Sequence, residues 1–138
     1  MLLVVLYLLY QLVASCANFL ENLPSEESTE SRAVETREPC PARIDAELPG
    51  VSAELVDAFR TDNKQITLCR TGEGELYYFG EYSDGREPGI PMRARESTGG
   101  YEASNGPYRY EISNGVVTIY EDGARIGQEE LTPEPDPT

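Results

Sequence analysis

The chain has 138 residues, with 25 acidic and 11 basic side chains, no histidine and no tryptophan, for a formal net charge of −14. That length holds one small domain, and the charge argues against nucleic acid as a partner, because phosphate backbones are bound by clustered Lys and Arg. Without imidazole, the Ser-His-Asp and Cys-His nucleophile systems and the usual zinc sites are excluded.

Residues 2 to 20, LLVVLYLLYQLVASCANFL, carry no charged side chain and are long enough to cross a hydrocarbon layer of about 30 Å as a helix. Three readings compete: a cleaved secretory signal, a retained transmembrane anchor, and a lipoprotein signal cut just before a cysteine. Val13-Ala14-Ser15-Cys16 resembles the lipobox of bacterial lipoproteins, an aliphatic residue and two small ones before the cysteine whose thiol accepts the lipid. No Lys or Arg precedes the apolar run, whereas a signal peptide normally begins with a charged segment, so the uncleaved helix stays open. Both the lipid on Cys16 and the uncleaved helix place the rest of the chain outside the cytoplasm, tethered to a membrane of the cell envelope.

The expected organisation is a signal or anchor helix over residues 1–15, a lipidated cysteine and acidic tether over 16–39, a folded domain over 40–131, and a proline-rich tail over 132–138. The stretch ENLPSEESTESRAVETREP is rich in Glu, Ser and Thr and buries too little apolar surface to offset its ordering entropy. In TPEPDPT the alternating prolines favour an extended conformation without hydrogen bonds. With Cys16 assigned to lipid, Cys40 and Cys69 remain as an even pair in an exported small domain, which reads as a disulfide; a buried free thiol at Cys69 is the competing reading.

PGVSAELVDAFR predicts the domain's one helix, with Ser52 as cap and Val51, Leu55, Val56 and Phe59 on one face. Everything after it reads as strand: ITLCR, ELYYFGEY and PMRARES, separated by Gly-containing turns. In PYRYEISNGVVTIYEDG, Asn114-Gly115 predicts a two-residue hairpin turn with positive backbone dihedrals, and Glu121-Asp122-Gly123 marks the next turn. The fold class expected is therefore mainly β, a small antiparallel sheet or barrel preceded by one short α-helix.

Period-2 alternation puts Leu76, Tyr78 and Tyr82 on one strand face and Tyr77 and Phe79 on the other. A sheet buried on one side needs one such face, so the surplus among Tyr77, Phe79, Tyr101 and Tyr120 is either an exposed binding surface or cover for the far side of a barrel. Catalysis finds little support: Glu75, Glu81 and Glu96 are the carboxylates that could pair as acid and base, and no spacing singles out two of them. The Asp84-Gly85-Arg86-Glu87 turn lacks the alternating oxygen ligands of a calcium loop. No enzyme activity, cofactor or metal is expected.

From Cys69 to Tyr120 the chain resembles the membrane-bound lipoprotein inhibitors of C-type lysozyme. The resemblance is carried by Cys69 followed by a tyrosine-bearing strand, the Asp84-Gly85 turn, the Ser97-Thr98-Gly99-Gly100-Tyr101 loop, Asn105-Gly106-Pro107-Tyr108, and the Asn114-Gly115 hairpin before VVTIY. It implies an eight-stranded barrel in which Ser97 and Tyr101 insert into the lysozyme cleft, while Ser-Thr-Gly-Gly also reads as a plain turn. LCRTGEGELYYFGEY also looks like exported actinobacterial domains of unknown activity. The expectation is an exported, membrane-tethered lipoprotein carrying a non-enzymatic binding domain. Alternatives are a lysozyme inhibitor or a phage-encoded surface exclusion lipoprotein. An acidic surface suits a cationic extracellular partner such as lysozyme, which it attracts at long range.

Overall fold

The computed structural model describes residues 37–138. The expectations for the apolar run, for Cys16 and for most of the tether lie outside the described residues, within which no helix is long and apolar enough to cross a membrane. Nine strands form one antiparallel sheet: β1 (Glu54–Arg60), β2 (Lys64–Arg70), β3 (Leu76–Tyr82), β4 (Ile90–Ser97), β5 (Gly100–Asn105), β6 (Tyr108–Ser113), β7 (Val116–Glu121), β8 (Ala124–Glu130) and β9 (Thr132–Pro133). Their spatial order is 8-7-6-5-4-3-2-1-9. Each strand from β1 to β8 pairs with its sequence neighbour, and the short β9 returns to pair with β1. That last pairing nearly closes the sheet into a barrel.

Alternation along the strands sorts side chains into two cores. Ile66, Leu68, Leu76, Tyr78, Met92, Ala103, Ile112 and Val117 fill the interior, flanked by Val56, Phe59, Tyr101, Tyr110 and Leu131. The outward residues Cys69, Tyr77 and Phe79 make a second cluster with Cys40, Ile44, Leu48 and Ala53. A flap over residues 37–53 supplies those last four, folded across the outer face of β2 and β3. The flap contains the single short helix α1 (Ala42–Asp45), whose Ile44 is fully buried. The Cys40–Cys69 disulfide, with Cα atoms 5.8 Å apart, fixes it to β2. Cys40 N–H donates to Ala53 O, and Leu55 N–H to Glu38 O.

The sequence-based helix over PGVSAELVDAFR is corrected: Glu54–Arg60 is strand β1, and the helix lies earlier. A bulge between Leu55 and Asp57 explains the misleading pattern. It inserts one residue and flips the phase of alternation, so Leu55 packs in the outer cluster while Val56 and Phe59, three apart, both pack inward.

Both ends of the domain extend beyond their expected bounds. Glu38 and Pro39 pair with the start of β1, so they belong to the folded flap and not to the tether. The tail also departs from expectation: Thr132 and Pro133 pair with β1, and Glu134 N–H donates to Ala58 O at 2.9 Å. Alternate residues of an edge strand turn their N–H groups away from the neighbour, so prolines at 133, 135 and 137 leave the bonds of 132 and 134 intact.

Two turns follow from the sequence directly. Asn114 and Gly115 have φ of 53° and 74°, and Asp122 and Gly123 have 49° and 82°, as two-residue hairpins require. At Gly100 the reason for glycine is space: a Cβ there would lie 1.7 Å from Ile112 O, so only glycine lets β5 approach β6 at this end.

Candidate binding site at one barrel mouth

The turns after β4 and β6 lie at one end of the barrel and, with β1 and Leu131, frame a pocket of ≈ 380 Å³ lined by Asp57, Phe59, Glu96, Ser97, Tyr101 and Leu131, among others. Tyr101 stands opposite Glu96 on β4 and Ile112 on β6. Since Ile112 is a core residue, Tyr101 points into the barrel mouth and is half-buried. Ser97 ends β4 just before the tight Thr98-Gly99 turn, where Gly99 has φ of 78°. Ser-Thr-Gly-Gly is thus a turn, and it brings Ser97 and Tyr101 to one rim.

Asp57 completes the arrangement. The bulge in β1 turns it inward, where it accepts a hydrogen bond from the Tyr101 hydroxyl at 3.3 Å. Burial first, and then the nearby Asp57 carboxylate, push the Tyr101 phenol above its ordinary value. Glu96 pairs with Arg70 at 2.7 Å. Asp57 has no basic side chain within ion-pair distance among the described residues. The mouth thus offers one neutralised carboxylate, one unneutralised carboxylate, a phenol and a hydroxyl, a set suited to receive a cationic or hydrogen-bond-donating side chain.

Tyr77 and Phe79, placed by the sequence reading among candidate partner-binding residues, are buried at 9% and 5% exposure. They lie beneath the flap, which uses the outward aromatic face of β3 as its own packing surface; the Tyr77 hydroxyl reaches Glu75 at the edge. Neither is presented to a partner in this conformation. Tyr120 lies away from the mouth, with the Arg109 guanidinium 3.9 Å over its ring. Asp57 escaped sequence reasoning because it sat within the supposed helix; the signal available was a lone acidic residue in an otherwise apolar stretch.

Among the described residues no cluster of three or more acidic or cysteine side chains is arranged to hold a metal ion. Glu75, Glu81 and Glu96 do not form a pair: Glu75 meets Arg93, Glu81 meets Arg43, and Glu96 meets Arg70. Asp84 is paired with Arg86, which holds its carboxyl below the ordinary value. Comparison with protein-family models, with curated proteins and with solved structures finds no match to this chain.

Proposed function

We propose that the chain is an exported, membrane-tethered lipoprotein whose barrel binds a cationic extracellular protein through the Asp57–Tyr101 mouth, without catalysis. The observation carrying this reading is the convergence of Ser97 and Tyr101 with Asp57 and Glu96 at one rim. A net charge of −14 draws a basic partner from a distance, and a mouth with an unneutralised carboxylate and a half-buried phenol gives a place for one inserted basic side chain. The disulfide suits an oxidising, extracytoplasmic compartment, and the lipobox-like Val13-Ala14-Ser15-Cys16 supplies the tether.

The specific partner proposed is a C-type lysozyme, favoured by the same rim because Ser97 and Tyr101 are the positions that the sequence resemblance singles out. The segment from Thr36 onward, which contains both cores and the disulfide, should inhibit such a lysozyme stoichiometrically. Tyr101→Ala should weaken inhibition by about thirtyfold, as loss of an inserted anchor of about 2 kcal/mol does. Tyr120→Ala should change it little. Mere charge attraction would instead fade as salt passes about 0.15 M and ignore Tyr101. Lysozyme left fully active by an equimolar amount in low salt would refute the inhibitor reading.

A further inference from the structure

We propose that the opposite mouth of the barrel is a second binding site, for a neutral, ring-sized organic molecule with an apolar body and one hydrogen-bond acceptor. This goes beyond the function proposed above and shares no residue with the first mouth.

The pocket there has a volume of ≈ 200 Å³ and is lined chiefly by Ile66, Tyr78, Gly80, Ile90, Met92 and Tyr110. Ile66, Tyr78 and Met92 belong to the interior core, so the core opens to solvent at this end. Ile90, on the lip, is 51% exposed. A cavity of about 150 Å³ with apolar walls accommodates benzene; this one admits a six-membered ring with a short substituent.

The polar handle is specific. The hydroxyls of Tyr77 and Tyr101 donate to Glu75 and Asp57, whereas those of Tyr78 and Tyr110 have no hydrogen-bond partner among the described residues. Tyr78 is only 4% exposed. The Tyr78 hydroxyl is not one of the fully enclosed unpaired polar atoms, which among the described residues are Gln65 Nε2 and Thr67 Oγ1, so it opens on this pocket and is free to donate to a ligand there. The two rings lie 5.5 Å apart, tilted by 33°, so both phenols border the same space. Gly80 makes room for this: a Cβ on it would lie 2.9 Å from the Tyr78 ring.

Charge selects the class of ligand. Lys64 on the wall is committed to Glu129 at 2.7 Å, and Glu81 to Arg43 at 2.9 Å. Glu87, also on the wall, has no ion-pair partner among the described residues. Surplus negative charge at the rim repels a carboxylate or phosphate, whereas a carbonyl or ether oxygen can accept from the Tyr78 hydroxyl without that repulsion.

Met92, the one methionine beyond the apolar run, makes a direct test. With the segment from Thr36 onward, whose one methionine is Met92, labelled with carbon-13 at the methionine methyl, acetophenone should shift the Met92 resonance saturably below about 10 mM. Ethylbenzene should shift Met92 more weakly, and benzoate should not. Tyr78→Phe should weaken acetophenone by about tenfold and leave ethylbenzene unchanged, which also shows that the pocket survives. Ile90→Asp, a change at an exposed lip position, should weaken acetophenone severalfold and provides the test if Tyr78→Phe disturbs the fold. The proposal is overturned if the Met92 shift grows linearly with acetophenone without saturating, if benzoate binds as well as acetophenone, if Tyr78→Phe in an intact pocket or Ile90→Asp leaves acetophenone affinity unchanged, or if no probe shifts Met92, as a pocket holding water only would give.

Discussion

Replacing Cys40 and Cys69 together by alanine tests whether the flap owes its place to the cross-link. The two residues are 29 apart in sequence, and closing a loop of that length removes chain entropy from the unfolded state worth about 3.5 kcal/mol. Both sulfurs are buried in the outer cluster, where the two cysteines are 4% and 1% exposed, so little solvation gain offsets their loss. For a domain of this size each kcal/mol shifts Tm by about 4–8 °C, so the double variant should melt about 15–25 °C lower by circular dichroism. The flap should loosen first. Exchange of the Cys40, Ala53 and Leu55 amides, which bond to Ala53 O, Asp45 Oδ1 and Glu38 O, should quicken more than exchange within β5 to β7. A Tm change below about 5 °C, or uniform quickening across all strands, would refute the view that the disulfide acts by holding the flap against Tyr77 and Phe79.

Two further outcomes can be checked. Burial, aided by Tyr110 and Glu129, pushes the Tyr78 phenol well above its ordinary value of 10.0. Above about pH 10 the unfolded chain therefore binds fewer protons than the folded one, and stability should fall by about 1.4 kcal/mol per pH unit from this group; Tyr78→Phe should flatten the alkaline limb of a Tm-against-pH curve, and an unchanged slope would contradict the assignment. Cys16→Ala should move the exported protein out of the lipid-labelled membrane fraction, and a wild-type chain that stays with the membrane without ever taking up labelled lipid would instead point to an uncleaved anchor.

Strands β2, β3, β4, β6 and β7 were legible because their signals are local: alternating Tyr and aliphatic residues, and Asn-Gly or Asp-Gly pairs that only a tight hairpin accommodates; β5, the small and polar GYEASN, carried no such signal. The disulfide was legible from cysteine arithmetic. Strand β1 was not, because a bulge at Val56 produces the three-residue spacing of a helix, and only the partner strand β2 decides between them. The roles of Tyr77 and Phe79 depended on the flap, and nothing in the β3 sequence says that another segment covers its outer face. At the mouth, the loop carrying Ser97 and Tyr101 was visible, whereas Asp57 reaches it by a pairing between segments far apart in the chain.

The order of pairing has a kinetic consequence. Every ladder from β1 to β8 joins neighbours along the chain, so each needs only a short loop to close and can form in microseconds. The contact of β9 with β1 joins opposite ends of the domain and must bear a much larger loop-closure entropy. The hairpins between chain neighbours therefore need less loop closure than the β9–β1 contact, and the pairing of Cys40 with Cys69 involves no strand beyond β2. The Arg60–Thr132 pairing closes the longest loop of any ladder in the sheet, so the closure of the barrel draws on the contact that costs the most chain entropy.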